Sequence, residues 1–253
     1  MPTETARKIL LVTGASRGIG AVTALLAAAR GYAVCVNYKS NRDAAAQVVH
    51  EITEAGGTAV AVPGDVAVEA DVQRLFQTCD QALGTVTALV NNAGIVDVKA
   101  RVDQMDTARL QRMFAINVFG SFLCAREAVR RMSTLHGGAG GVIVNVSSAA
   151  SRLGSPGEYV DYAASKAAID AFTIGLSKEV ATEGIRVNAV RPGIVHTGIH
   201  ASGGQPDRIE RIQGMVPMLR AGQPDEIAHA ILWLLSDDAS YTTGALLDVA
   251  GGR

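Results

Sequence analysis

Short apolar runs alternate with longer stretches of helical character along the whole chain, and this alternation limits the fold more than any single motif does. Strands are predicted at 8–14 ("KILLVTG"), 32–38, 58–66, 86–94, 140–151, 185–193 and 244–252. Helices are predicted between them at 21–31, 42–57, 69–84, 106–132, 162–184 and 224–240. The first helix closes at Gly31 and the second at a Gly-Gly pair, both ordinary stop signals. Strands that are apolar at nearly every position need cover on both faces, which means a parallel sheet between two layers of helix. Seven such strands make one doubly wound α/β domain over 1–253, with helices on both faces of the sheet.

Composition agrees with a large core. Hydrophobic residues make up 48% and the mean hydropathy is +0.21, too apolar for a disordered chain. The formal net charge is −1 and no block of like charge occurs, so neither nucleic acid nor a membrane surface is an expected partner. Cys35, Cys79 and Cys124 are odd in number, widely spaced and free of any CxxC, so no disulfide framework and no metal site is expected. The opening "MPTETARKILLVTG" lacks the apolar stretch of a signal peptide. No window approaches the roughly 18–20 apolar residues of a membrane span, and a cytoplasmic protein is expected. The one long segment outside the pattern is 194–223, rich in Gly, Pro and Gln. A loop of that length in a compact domain is usually functional. It is expected to be a substrate lid, with a short helix in "PDRIERIQGM" that sets Ile209, Ile212 and Met215 along one stripe.

Two stretches carry chemistry. "TGASRGIG" follows the first strand and opens a helix, with Gly14, Gly18 and Gly20 in the spacing G-x-x-x-G-x-G. Missing side chains permit a tight turn, close approach of backbone N–H groups to a diphosphate, and close helix–strand packing. Nucleotide binding is expected there; the alternative is a purely structural turn. "YVDYAASKAAID" holds Tyr159, Tyr162 and Lys166. Tyr162 and Lys166 are four apart and share a helix face. An ammonium beside a phenol favours the phenolate, so Tyr162 is expected to be lowered below the usual tyrosine value and to exchange a proton with a substrate oxygen. The plainer reading is an aromatic packed over an aliphatic stem. Tyr159 is either a rim residue or a wall of the substrate pocket.

Four more motifs follow in order: "NNAG" (91–94), Asn117 in "FAINVFGSF", "NVSS" (145–148), and "YAASK" (162–166) with "RPG" (191–193). Together with TGxxxGxG they resemble the short-chain dehydrogenase/reductase family across essentially the whole chain, and bacterial glucose dehydrogenases and β-ketoacyl carrier-protein reductases most of all. The resemblance implies a single-domain Rossmann fold and a catalytic set of Asn117, Ser148, Tyr162 and Lys166. In it Ser148, rather than Ser147, donates to the substrate oxygen. Lys166 also reaches the nicotinamide ribose, and Asn117 holds a helix kink and an ordered water. Cofactor contacts are implied for Gly14, Ser16, Arg17, Gly18, Ile19 and Gly20, for Asn37, Tyr38 and Lys39, for Asp65 and Val66 at the adenine, and for Asn92, Ala93 and Gly94. Tyr162 and Lys166, with Pro192, Gly193, Ile194 and Thr197, complete that set. Asn91 is expected to brace strands. Ser148 and Tyr162 lie 14 positions apart, one more than the family pattern, which places the pocket shape in question.

An NAD site usually carries a carboxylate after the second strand to hold the ribose 2′-hydroxyl. "NYKSN" offers Asn37 and Lys39 instead, and Arg17 lies in the glycine turn, so NADP is favoured, with NAD as the alternative. The expected pocket walls, 95–102, 151–159 and 196–216, contain Asp97, Glu158, Tyr159, His196 and His200 and suit a small polar carbonyl or alcohol. Glucose-dehydrogenase-like and β-ketoacyl-reductase-like substrates both remain open. The competing reading of another class is an NADP-binding sensor or scaffold without turnover; an isomerase or dehydratase on the same fold is a third. A homotetramer is expected, partly from the resemblance and partly because Phe114, Phe119, Phe122 and Leu123 crowd one helix and an apolar strand ends the chain.

Overall fold

The computed structural model describes residues 8–253. The expectation that no signal peptide opens the chain concerns residues 1–7 in part, and these lie outside the described residues. The first half alternates β1 (Ile9–Val12), α1 (Gly18–Ala28), β2 (Ala33–Tyr38), α2 (Arg42–Glu54), β3 (Thr58–Pro63), α3 (Glu69–Leu83) and β4 (Ala88–Asn91). The second half runs α4 (Thr107–Phe114), α5 (Gly120–Met132), β5 (Gly141–Val146), α6 (Ala150–Leu153), α7 (Val160–Glu179) and β6 (Ile185–Pro192). It ends with α8 (Ile199–Ser202), α9 (Arg208–Ile212), α10 (Pro224–Leu235) and β7 (Leu246–Val249).

The seven strands form one sheet in the order β3-β2-β1-β4-β5-β6-β7, with every pairing parallel. Strand order reverses between β1 and β4, so their carboxyl ends open a crevice of the kind in which such sheets bind ligands. Alternation along β2 sends Val34, Val36 and Tyr38 into one core, with α1 and α10, and Ala33 and Cys35 into the other, with α3 and α5. The three cysteines are buried and unpaired.

Differences from the sequence expectation are local. The predicted helix over 106–132 is split by a π-turn at Ala115–Phe119. Such turns relax the regular hydrogen-bond ladder and let a helix bend. The helix expected at 162 starts at Val160, so Tyr162 stands in its first turn. The polar tail of 140–151 and the segment 194–223 contain the short helices α6, α8 and α9. The 194–223 segment is also tied at its base, where Val195 bridges Gly222.

A buried polar network joins the sheet to α5 and α7, on one of its faces, near the crevice. Asn91 donates to the Ser121 carbonyl (3.2 Å) and to Asn145 Oδ1 (3.0 Å), and Asn145 donates to Thr173 Oγ1 (2.9 Å). Asn145→Ala leaves the Asn91 amide and the Thr173 hydroxyl short of a partner in the dry interior. Each keeps one other bond, Asn91 to Ser121 and Thr173 to the Ile169 carbonyl, so a loss of about 1–3 kcal/mol in urea unfolding is expected. A change below about 0.5 kcal/mol contradicts the network.

Candidate active site

The groove begins at the turn between β1 and α1. Gly14 has φ +61°, and a Cβ there would sit 3.0 Å from Ala93 Cα. At Gly20 a Cβ would meet Asn92 Nδ2 at 2.5 Å, so that glycine serves packing between turn and β4 rather than the groove wall. Beneath the turn, Asn37 is buried. Its Oδ1 accepts from Gly14 N–H (3.2 Å) and its Nδ2 donates to the Val62 and Gly64 carbonyls (3.3 and 3.1 Å). Its amide braces the turn from below. Every residue expected to touch cofactor lines the cleft except Gly20 and Tyr38. The Tyr38 expectation is corrected: strand alternation turns its ring away from Asn37 and Lys39 and into the core. The sequence reading missed Ser40, Asn41, Gly64 and Ile116, which also line the groove, while Ile95 and Gly198 join it from stretches expected as substrate walls. Ser40 and Asn41 carried a signal, since the turn after Lys39 leads to Asn41, the N-cap of α2.

Lys39 Nζ lies 2.6 Å from Asp65 Oδ2, and Arg17 is exposed at the groove. The groove runs on into a second cavity through Ile19, Asn92, Gly94, Thr197 and Ile199, which line both. A cradle that excludes side chains at one end and opens onto a phenol, a hydroxyl and an ammonium at the other fits an elongated dinucleotide with its reactive ring beside Tyr162.

That second cavity is formed where β4, β5 and β6 end against α7. Lys166, almost wholly buried, extends to the end of β5 and donates to the Val146 carbonyl at 2.8 Å. Its Nζ is 5.7 Å from the centre of the Tyr162 ring. Burial pushes the ammonium down to about 8, with Asp170 opposing. Burial also raises the Tyr162 phenol, opposed by a hydrogen bond from Ser148 and by the charge of Arg208. This corrects the expectation that Lys166 lowers the phenol: desolvation outweighs the opposing influences, and these come from Ser148 and the 194–223 segment. Ser147 is set apart from its neighbour, since its hydroxyl donates to the Lys166 carbonyl (3.1 Å) and is buried. Between Ser148 and Tyr162 the chain forms α6 and passes through the positive-φ residues Gly154, Ser155 and Gly157, and the two side chains still meet.

Asn117 stands behind the cavity in the π-turn. Its Oδ1 accepts from Ile95 N–H (2.8 Å) and its Nδ2 donates to the Ile95 carbonyl (3.0 Å) and Ser165 Oγ (3.1 Å). A Cβ on Gly94 would be 3.4 Å from both Asn117 Oδ1 and Lys166 Nζ, so the two groups flank the same glycine. Arg109 clamps the start of α7 from α4, through Nε to Asp161 Oδ2 (2.7 Å) and Nη2 to Asp161 Oδ1 (3.2 Å).

The walls are less acidic than expected. Asp97 pairs with Arg112, Glu158 faces Arg208 and Arg211, and His196 is exposed; none lines the cavity. The side chain of His200 lies outside the described residues. Tyr159 is a buried wall, and Val96, Leu153 and Arg208 line the cavity beside it. All three fall within the stretches expected as pocket walls, 95–102, 151–159 and 196–216.

Comparison with known proteins agrees with this geometry. Residues 14–253 match the family described as enoyl-(acyl carrier protein) reductase. An uncharacterised oxidoreductase of Escherichia coli (strain K12), YgfF, is 56% identical over 97% of this chain and 99% of its own length. A 3-oxoacyl-[acyl-carrier-protein] reductase of Synechocystis is 39% identical over 97% of this chain and 96% of its own length. A solved short-chain dehydrogenase/reductase of Serratia marcescens, a doubly substituted mutant, superposes with a TM-score of 0.89 at 32% identity, covering 97% of both chains. Fold and site define an oxidoreductase of alcohol and carbonyl groups that uses a nicotinamide cofactor. The chain belongs to the short-chain dehydrogenase/reductase family.

The Lys166 shift has a signed consequence. Its folded value of about 8 lies below the ordinary 10.5, so the unfolded chain holds more proton between those values. Stability from this group therefore rises with pH from about 8 to 10.5, and below about 8 the burial cost is fully present. Urea unfolding should show that rise in wild type relative to Lys166→Met. Parallel profiles for the two proteins contradict a buried, readily deprotonated lysine.

Proposed function

We propose that this chain is an NADP(H)-dependent oxidoreductase that interconverts a carbonyl and an alcohol on a small substrate, with Tyr162 as acid and base. The observation that carries the reading is the meeting of Ser148, Tyr162 and Lys166 where the glycine-turn groove ends. A bound nicotinamide supplies hydride to the carbonyl carbon; the protein handles the proton and the geometry. Ser148 orients the carbonyl oxygen, Tyr162 gives that oxygen its proton in reduction and takes it back in oxidation, and Lys166 holds the ribose end. Asn117 fixes the loop at Ile95 and, with the π-turn, keeps space beside Lys166 for proton relay.

The NADP preference rests on Arg17 and on the lack of a carboxylate at the end of β2. Lys39 contributes less than the sequence implied, because Asp65 already neutralises it. Arg17 is the cation left for a 2′-phosphate. The segment 194–223 acts as the substrate lid, since Arg208 from it lines the cavity. The homotetramer reading draws support from Phe119 and Phe122, which are 61% and 47% exposed, the latter stacked on Phe172. A cytoplasmic location belongs to the same reading and rests on the sequence.

Tyr162→Phe removes only the phenolic oxygen. Turnover should fall by about 100-fold or more while NADPH titration is nearly unchanged; retention within about threefold contradicts the assignment. Arg17→Ala should lower kcat/KM for NADPH by about tenfold and leave that for NADH within about threefold, as expected for loss of one charge-assisted contact. Wild type that prefers NADH overturns the cofactor assignment. Light scattering should give about four times the 26.2-kDa chain mass, and a single-chain mass refutes the tetramer.

A further inference from the structure

Besides Lys166, the cavity that holds Tyr162 is lined by two arginines, Arg208 and Arg253. Arg208, in α9, has a side chain only 11% exposed and lines the wall. Its guanidinium carbon lies 4.6 Å from the centre of the Tyr159 ring. A guanidinium stacked in this way has its face covered and its N–H edge free for in-plane hydrogen bonds. Glu158 Oε2 lies 2.8 Å from Nη1, yet Nη1 is buried and makes no aligned hydrogen bond, so the contact is an ion pair by distance alone. Glu158 is also shared, its other oxygen facing Arg211 at 3.8 Å. One carboxylate set against two guanidiniums leaves a net positive charge, and no Asp or Glu side chain among the described residues lines the cavity to offset it.

A buried cation without a full counter-charge is costly, and a ligand anion removes that cost. We infer that Arg208 is the docking group for a carboxylate on the substrate, so that the carbonyl or alcohol compound used by this protein is a short oxo acid or hydroxy acid rather than a neutral sugar or an acyl thioester. The inference rests on the reading of this cavity as the carbonyl site. Planar, two-oxygen recognition suits the fork of Arg. Arg208 and Tyr162 line the same cavity, so one small molecule can meet both. Gln205 ties the segment in place from the other side, donating to the Tyr159 hydroxyl and accepting from Arg211, so Arg208 is held over the cavity rather than swung to solvent.

The competing reading is a brace, in which Arg208 merely pins the lid to Glu158. Matched substrates separate the two. The probes are 3-oxobutanoate and 4-oxopentanoate, each against its methyl ester, with kcat/KM measured for wild type, Arg208→Gln, Arg208→Lys and Glu158→Gln. Wild type should favour the acids by about tenfold or more, the usual scale of a charge-assisted pair. Arg208→Gln should collapse that ratio, Arg208→Lys should keep part of it, and Glu158→Gln should keep or raise it by freeing the guanidinium. A ratio near one in wild type overturns the inference, as does an equal collapse in Glu158→Gln, the mark of a brace. Calorimetry with butanoate and its neutral isostere butanamide gives a readout free of turnover. Butanoate should bind wild type at least about tenfold tighter than Arg208→Gln; equal binding of the two ligands overturns the proposal. Turnover of neutral esters without acid preference sinks this inference and leaves the oxidoreductase reading standing. Absence of turnover on every carbonyl with NADPH and NADH, beside selective butanoate binding, overturns the carbonyl-site reading and the substrate assignment with it, leaving Arg208 as a carboxylate site alone.

Discussion

The Lys166 ammonium ends on the carbonyl oxygen of Val146, 2.8 Å away, and the chemistry of the cleft depends on that contact. A lysine buried on all sides is stable only where a fixed acceptor meets it. The end of β5 supplies the acceptor, and the rigidity of the sheet fixes its position. Lys166 in turn fixes the first turns of α7, and hence Tyr162, against Ser148. The Asn91–Asn145–Thr173 network and the Arg109–Asp161 clamp hold the same helix from the sheet and from α4. Three elements thus restrain one phenol, and a restrained phenol can donate in one direction.

Burial has two consequences in the cavity, and they are linked. It lifts the Tyr162 phenol and lowers the Lys166 ammonium, so each group holds its neutral form more firmly than it would in water. It also makes every remaining charge matter more, because little solvent screens it. Arg208 is the charge on which this bears most. Its field opposes the lift of the phenol, and its side chain lines the space a substrate fills.

How much was legible in the sequence follows the range of each interaction. The strand–helix alternation reports short-range burial, so the parallel sheet and its two helical layers were readable. Tyr162 and Lys166 are four residues apart on one helix, and Gly14 sits in the turn it shapes; such local pairings survive in sequence. The Lys39–Asp65 pair did not, because β2 and β3 must first lie side by side. The segment that carries Arg208 was expected as a pocket wall, but its stacking on Tyr159 depends on contacts between distant segments and was not readable. The direction of the Tyr162 shift was misread for a related reason: spacing reveals a neighbouring charge but not the depth of burial, and burial was the larger influence.

Direct titration of the Tyr162 phenol, by ultraviolet difference between wild type and Tyr162→Phe, tests the central claim that burial, Ser148 and Arg208 together set this group. The account predicts a phenol that titrates above the ordinary 10.0 and moves further up in Ser148→Ala and in Arg208→Gln, each compared with its own Tyr162→Phe partner. A phenol that titrates at the ordinary value and ignores both substitutions contradicts it.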